Sequence, residues 1–285
     1  MENNYSAAFL VLLYGKEISA SETLNSIRKQ KVPVGNNLLV IWNNGPELLQ
    51  ERHVSDFELL GFDVVIRETI TNESLSKIYN QFITNYASDK YIILDDDSQL
   101  NQNYIDRAFN LTTKDIGVPQ IFSGDKQTFP KKNRKLCFVG EQVSDKDKFF
   151  GIGSGLVVGA EITKKLIADH NDIFDERFYF YGVDSTFFFR IKQSNLSRSI
   201  KVISGFEHSL SKLKKESDTV TEFRLKEMSY DIGLRLRYYK PFSVSIFLLL
   251  KETLASLIKQ LRNKKQKILP KYLLKAYFSG KHYKY

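Results

Sequence analysis

The sequence contains little cysteine and no long uncharged apolar run. Its 285 residues include a single cysteine, Cys137, which excludes an intrachain disulfide and favours a reducing compartment. No uncharged apolar stretch reaches the roughly 18 residues that a transmembrane helix needs. The first residues, MENNYSAAFLVLLYG, combine a polar, acidic start with a short apolar run, which is typical of a buried strand rather than a signal peptide. We therefore expect a cytoplasmic protein that is soluble or rests on a surface.

The net charge of +9 is concentrated in the last quarter of the chain. Residues 211–285 contain 18 basic and 6 acidic residues, a net charge of +12, which leaves −3 for the rest of the chain. A basic chain is compatible with a nucleic-acid-binding protein. However, basic residues are not interleaved with aromatic ones in a recognisable binding motif, so no nucleic acid is expected as a partner. The asymmetry predicts a separate C-terminal extension at 211–285, after a domain at 1–210.

Strand-like and helix-like segments alternate through the first hundred residues. Buried strands are predicted at 7–14, 37–45, 62–68 and 90–94, and amphipathic helices at 19–30 and 72–87. Such alternation predicts an α/β domain with a mostly parallel sheet flanked by helices. The pattern weakens at 123–150, which is expected to be a polar loop that can act as a lid. A last core strand is predicted at 199–210, ending in Glu207 and His208.

Three consecutive aspartates, Asp95, Asp96 and Asp97, follow the strand YIIL. Ligands of parallel α/β sheets bind beyond the carboxyl ends of the strands, so these carboxylates lie at a binding edge. Nothing in the neighbouring sequence neutralises them. Residues i and i+2 of an extended segment share a side, and hard oxygen ligands suit Mg²⁺ or Mn²⁺. The alternative is a solvated acidic turn.

Four motifs stand in order along residues 6–210: LDDDS, GIGSGLVV, FDERFYFYGVDSTFFFRIKQSN and FEHSLSK. Together they resemble the family-two glycosyltransferases of GT-A fold, and LDDDS is similar to the DxD motif of that family. The closest resemblance is to the bacterial rhamnosyltransferase branch. It rests on GVD at 182–184, EHSL at 207–210, IGVPQI at 116–121 and RLRYYK at 235–240. The resemblance implies a GT-A (Rossmann-like) sheet with a C-terminal helical extension.

The resemblance also implies transfer of a sugar from a nucleoside-diphosphate sugar to a saccharide acceptor. Mg²⁺ or Mn²⁺ would be held by Asp97, with His208 as a further ligand or phosphate contact. His208 can instead be a structural histidine. Asp95 would meet the ribose or a metal-bound water, while Asp96, also in the nucleotide-sugar site, would point the other way.

The acceptor side of the predicted site involves Asp184 and a glycine-rich turn. Asp184 matches the position of the catalytic base, and family-two enzymes invert the anomeric centre with one base; its alternative role is a helix N-cap. Gly153, Ser154 and Gly155 match the segment that borders the acceptor, where glycines let a backbone come close to a sugar. Their alternative is a plain turn.

Asn43 and Asn44 depart from the family pattern. The matching strand usually ends in Asp-Asn, with the aspartate touching the nucleobase. An amide can also hydrogen-bond a pyrimidine, by donating to O4 and accepting from N3–H, so both asparagines remain nucleotide-site candidates. Tyr14, at the end of the first strand, is predicted to stack on the base, or else to be a core aromatic.

Residues 241–267 predict a basic amphipathic helix. Its apolar face comprises Phe247, Leu250, Leu254, Leu257, Ile258 and Leu261. Such a helix can lie on the inner face of the cell membrane, which would suit a lipid-linked saccharide acceptor. It can equally pack on the catalytic domain or on a second subunit, which leaves a homodimer open.

The favoured donor sugar is rhamnose, in the synthesis of a bacterial cell-surface polysaccharide. Galactofuranose, galactose and glucose are alternatives. A non-catalytic sugar-binding paralogue is an alternative of another class, and the presence of both Asp97 and Asp184 argues against it.

Overall fold

The computed structural model describes residues 4–208, 218–262 and 266–285. The chain divides into two compact units. The first unit contains Met1–Glu73, Lys77–Ile173 and Arg190–Leu210, and the second contains Ser74–Ser76, Phe174–Phe189 and Ser211–Tyr285. The aromatic segment 174–189 thus groups with the C-terminal residues. The expected division at residue 210 stays a prediction.

The first unit is built on a mixed sheet whose strands follow the predicted apolar runs. The strands are β1 Ala7–Leu13, β2 Asn37–Asn43, β3 Phe62–Glu68, β4 Lys90–Asp95, β5 Ser98–Gln99, β6 Ile116–Ser123, β7 Lys126–Phe129, β8 Lys131–Lys132, β9 Lys135–Leu136, β10 Phe149–Phe150, β11 Leu156–Gly159 and β12 Ile200–His208. Every residue of β1 and β2 is buried, as expected of central parallel strands covered on both faces.

The described residues form a nine-stranded sheet with the order β3-β2-β1-β4-β11-β6-β12-β5, and β7 pairs with β6. The pairs β3/β2, β2/β1, β1/β4 and β6/β12 are parallel. Strand β11 is antiparallel to both of its neighbours, and the short β5 is antiparallel to β12. The predicted α/β class is confirmed as a mixed sheet flanked by helices, in which four of the eight strand pairings among the described residues are parallel.

Helices connect these strands. They are α1 Glu22–Ile27, α2 Ser55–Leu59, α3 Leu75–Asn85, α4 Gln102–Phe109, α5 Ala160–His170 and α6 Val183–Gln193. Ser21 caps α1 by accepting a hydrogen bond from the Leu24 N–H, and Asn101 caps α4 in the same way from the Tyr104 N–H. The predicted helix at 19–30 is therefore shorter than expected, because a 3₁₀ turn at Ile18–Ala20 precedes the cap.

The polar segment 123–150 contains more structure than expected. Strands β10, β8 and β9 form a small antiparallel sheet, and β7 extends the main sheet. Asp147 accepts hydrogen bonds from Ser144 and Asn133, and Lys132 pairs with Glu141 at 2.6 Å. Strands of two residues are too short to show the alternation of apolar and polar residues that predicts a strand. The sequence pattern therefore could not predict this small sheet.

The second unit contains the helices α7 Asp218–Tyr239, α8 Phe242–Leu261 and α9 Pro270–Ser279. Its apolar centre comprises Leu236, Leu249, Ile268, Leu273 and Tyr277. A Cβ on Gly233 of α7 would lie 2.6 Å from the Leu273 carbonyl oxygen of α9, so this glycine allows the two helices to pack closely. Within the described residues, none of the helices has the length and apolar character needed to cross a membrane.

Candidate metal and nucleotide-sugar site

Strand pairing brings the predicted metal ligands together at one edge of the first unit. Asp95 is the last residue of β4, and Asp97 lies in the short turn that connects β4 to β5. Strand β5 pairs with the end of β12, in a register that places Ser98 opposite His208. The side chains of Asp95, Asp97 and His208 therefore converge on one point. The residues Ser209 and Leu210, which complete the EHSL motif, lie outside the described residues.

The spacing of the three side chains fits a divalent cation. His208 Nδ1 lies 3.3 Å from Asp97 Oδ1, and His208 Nε2 lies 3.9 Å from Asp95 Oδ2. One candidate ligand atom from each residue lies within 4.8 Å of the others. Neighbouring ligands of an octahedral ion with bonds of about 2.1 Å are about 3.0 Å apart, so small side-chain movements would suffice. Two carboxylates and one imidazole are side chains that can hold a divalent cation.

Burial and mutual charge set the protonation of this group. Burial raises the pKa of Asp97, although the nearby His208 opposes this shift. Burial also lowers the pKa of His208, against the opposing effect of Asp97. A neutral histidine keeps a lone pair for a metal, and a cation would stabilise the ionised Asp97. The lowered pKa of His208 therefore favours the neutral imidazole, which can act as a ligand.

A chain of two serine hydroxyls supports His208. Ser98 Oγ lies 3.0 Å from His208 Nδ1 and 2.8 Å from Ser154 Oγ. Ser154 Oγ accepts a hydrogen bond of 3.1 Å from the Asp95 N–H, and its side chain is fully buried. A hydrogen on Nδ1 that is donated to Ser98 leaves the lone pair on Nε2. The glycine-rich motif predicted Ser154 at the acceptor but gave no sign of this connection to His208. The acceptor role of Ser154 stays a prediction.

Asp96 faces a partner that the local sequence did not reveal. Lys16, just after β1, places its Nζ 2.7 Å from Asp96 Oδ1. The main-chain oxygen of Asp96 accepts hydrogen bonds from Ser21 Oγ and the Thr23 N–H. The neighbouring sequence contains nothing that neutralises the aspartates, but Lys16 neutralises Asp96 from a distant position in the chain. The neutralising lysine stands 80 positions away, and only strand order brings it close.

The side-chain amide of Asn43 is used inside the protein. Asn43 Nδ2 donates to the Glu47 carbonyl at 2.7 Å and to Glu68 Oε2 at 2.9 Å, and its Oδ1 accepts from the Gly45 N–H. Burial raises the pKa of Glu68. The hydrogen bonds from the Leu49 N–H, Asn43 and Arg52 outweigh this effect, so its pKa is lowered overall. Asn43 thereby links the ends of β2 and β3.

Asn44 is similarly engaged. Its Nδ2 donates to the Glu73 carbonyl at 2.9 Å, and its Oδ1 accepts from the Glu73 N–H and from Thr69 Oγ1. Tyr14 follows β1 and is 52% exposed, so its ring is accessible rather than a core aromatic. The nucleotide contacts expected of Asn43, Asn44 and Tyr14 stay predictions.

The glycine-rich turn before β11 is constrained by packing. Gly155 has φ +80°, and a Cβ there would lie 2.7 Å from the ring of Phe206 and from Pro119. Gly153 accepts a turn hydrogen bond from the Leu156 N–H. Close packing alone therefore requires glycine at position 155. The acceptor role predicted for Gly153 and Gly155 has no further support from this geometry.

Asp184 belongs to the second unit and lies in the first turn of α6. Gly182 precedes this helix with φ +91°, and a Cβ there would lie 2.4 Å from Asp231 Oδ1. Thr186 Oγ1 donates to the Gly182 carbonyl at 2.8 Å. A carboxylate in a first helical turn is stabilised by the helix dipole. Close packing at Gly182 and the hydrogen bond from Thr186 therefore fix the backbone at the start of α6. The role of Asp184 as the base stays a prediction.

Comparison with known proteins finds similar folds at low identity. A structure of S. aureus TarS 1–349 matches with TM-score 0.49 and 14% identity, over 96% of this chain and 72% of that one. Glucosyl-3-phosphoglycerate synthase from Mycobacterium tuberculosis, in complex with phosphoglyceric acid, matches with TM-score 0.49 and 10% identity, over 80% of this chain and 78% of that one.

In another S. aureus TarS structure, the match covers 97% of this chain but only 44% of that chain, with TM-score 0.48 and 12% identity. No family model matches the sequence. No curated protein matches it either. Identities and TM-scores this low do not assign a function to the chain.

Proposed function

We propose that this protein is a glycosyltransferase that takes its sugar from a nucleoside-diphosphate donor with the help of a divalent metal. The observation that carries the proposal is the convergence of Asp95, Asp97 and His208 at an edge of the sheet. Asp97 and His208 would hold Mg²⁺ or Mn²⁺, which supplies charge stabilisation for the leaving diphosphate. Asp95 would contact the ribose or a metal-bound water.

We further infer an inverting reaction with a single base. Asp184 would take the proton of the acceptor hydroxyl as that oxygen attacks the anomeric carbon, while the donor's bond to the diphosphate breaks. The support is the GVD motif and the position of Asp184 in the first turn of α6. Because a single displacement forms no covalent intermediate, the configuration of the product would be opposite to that of the donor.

The favoured donor sugar is rhamnose, and the favoured acceptor is a saccharide or a lipid-linked saccharide of a cell-surface polysaccharide. The support for rhamnose is the resemblance carried by GVD at 182–184 and by Glu207 and His208. We place the protein in the cytoplasm, at the inner face of the membrane. The apolar and basic residues of α8, Phe242–Leu261, support this placement.

The deciding experiment is a screen of nucleoside-diphosphate sugars with Mg²⁺ or Mn²⁺, read by release of the nucleoside diphosphate. The same nucleotides are titrated by calorimetry, with the metal or with a chelator. We expect binding that requires the metal and that Asp97→Ala abolishes, whereas Asp106→Ala, on the exposed side of α4, binds as wild type. Binding that is equal under all conditions would exclude the metal site. Binding without sugar transfer would identify a non-catalytic paralogue.

A further inference from the structure

Helix α8 has one side that packs within the second unit. Ser245, Leu249 and Ser256 are buried on this side. Ser245 Oγ donates to the Leu236 carbonyl at 2.7 Å, and Ser256 Oγ donates to the Ile268 carbonyl at 2.9 Å. The spacing of four and seven residues between the three buried positions places them on one face. The inner side of α8 is therefore already occupied.

The opposite side, here called the outer face of α8, is apolar and exposed. It comprises Phe247, Leu250, Leu254, Leu257, Ile258 and Leu261, with exposed fractions from 42% to 86%. These are the residues that the sequence places on one helical face. Each of these side chains is accessible. A contiguous apolar surface of this kind marks an interaction site.

The charges beside the outer face indicate the kind of partner. Lys251 and Arg262 are both exposed, and each follows a residue of the face. Glu252 is the one acidic residue in Phe242–Arg262, and it is half-buried beside Met228 and Ile232. A second copy that docked through its own α8 would bring Lys251 and Arg262 close to the same two cations. It would supply no exposed carboxylate from α8 to pair with them. An anionic surface, in contrast, complements both the apolar side chains and the cations.

We propose that the outer face of α8 lies on an anionic lipid bilayer. The leucine and phenylalanine side chains enter the boundary between headgroups and acyl chains, and Lys251 and Arg262 contact the lipid phosphates. The inference refines the membrane placement of the proposed function, but it uses none of the metal or nucleotide residues. Residues 263–265 of the predicted helical segment lie outside the described residues and take no part in the inference.

The test uses the full chain and sedimentation with vesicles of phosphatidylglycerol and phosphatidylcholine. We expect binding to anionic vesicles at low salt, weaker binding at about 0.5 M salt, and no binding to pure phosphatidylcholine. The double substitution Leu254→Gln, Leu261→Gln should weaken binding about 100-fold, because two leucines no longer enter the lipid. Lys251→Gln with Arg262→Gln should weaken it about 25-fold, or about fivefold for each charge.

Matched controls come from the first unit. Leu48 and Leu59 are 51% and 87% exposed, close to the 58% and 86% of Leu254 and Leu261. The variant Leu48→Gln, Leu59→Gln should bind vesicles like wild type. Lys29 and Arg198 are exposed as well. Their joint replacement by glutamine removes one lysine and one arginine, as the variant Lys251→Gln, Arg262→Gln does. It too should leave binding within about twofold of wild type.

Two results would overturn the proposal. One is that the full chain ignores anionic vesicles at low salt. The other is that Leu254→Gln, Leu261→Gln binds them as wild type does while its thermal unfolding is unchanged. Light scattering completes the test: a dimer that this variant converts to a monomer, without vesicle binding by wild type, would assign the face to a second copy. Nucleotide binding by the same samples reports separately on the proposed enzymatic site.

Discussion

Replacing Ser154 by alanine tests whether the serine hydroxyls support the metal site. The Ser154 hydroxyl connects the Asp95 N–H, at 3.1 Å, with Ser98 Oγ, at 2.8 Å. Ser98 in turn lies 3.0 Å from His208 Nδ1. The substitution removes one oxygen from a fully buried position and leaves the three candidate ligands in place. Any loss of metal affinity then arises from positioning and not from the removal of a ligand.

The geometry sets the size of the expected effect. Removing an outer-shell partner of a metal-binding histidine lowers metal affinity by about 10- to 100-fold. The Asp95 N–H also loses an acceptor, and an unsatisfied buried donor costs about 1–3 kcal/mol of folding free energy. Ser98→Ala interrupts the same chain one step closer to His208. Because the two serines act in series, the double variant should lose much less affinity than the product of the single effects.

The assay is a titration with Mn²⁺, in which electron paramagnetic resonance measures the free ion. Urea unfolding of each variant gives its stability separately. Ser88→Ala is the matched control, since Ser88 is also buried and hydrogen-bonded but lies before β4, away from Asp95. We expect Mn²⁺ affinity to fall for Ser154→Ala and to stay within twofold for Ser88→Ala. Equal affinity of Ser154→Ala and wild type would refute the supporting role.

Three further predictions follow from other parts of the fold. Asp184→Asn should lower sugar transfer by at least about 100-fold while nucleotide affinity is kept, and turnover within tenfold of wild type would exclude Asp184 as the base. Glu68 has a lowered pKa, so its contribution to stability is present above the pKa of an unfolded carboxyl, about 4.3, and is lost as pH falls through its folded value. Urea unfolding should therefore show wild type more stable than Glu68→Gln at pH 6, and this difference should shrink by pH 3. Gly205→Ala should lower the free energy of unfolding by at least about 3 kcal/mol or prevent folding, because a Cβ there would lie 1.5 Å from the Gln120 carbonyl oxygen. A loss below about 1 kcal/mol in the same assay would contradict this packing.

Sequence pattern was sufficient for the strands with continuous apolar runs. Strands β1 and β4 are Leu-, Ile- and Val-rich and buried, and both were predicted within one residue at each end. Strand β6 was not predicted as a strand, although it lies inside the sheet. Gly117 and Pro119 interrupt its apolar run, and both residues weaken the signal of a strand. The neighbouring strands β11 and β12, and not local propensity, determine its conformation.

The candidate site shows the same limit. The spacing of Asp95 and Asp97 predicted a shared side, and motif order pointed to His208. The approach of Lys16 to Asp96 depends on the adjacency of β1 and β4, which one sequence does not specify. The burial of Ser154 depends on the antiparallel pairing of β11 with β4. Long-range strand order was therefore the missing information.

The pairing of β5 with the end of β12 has a consequence for folding. Ser98 and His208 meet although they are 110 positions apart in the chain, so closing this contact requires a large loss of chain entropy. A cation bound between the turn and β12 would join these distant segments in the native state only. Its binding should then slow the detachment of β12 and raise the unfolding temperature with the logarithm of metal concentration. Protection of β12 amides from hydrogen exchange would rise in parallel, which makes the last core strand a reporter of metal occupancy.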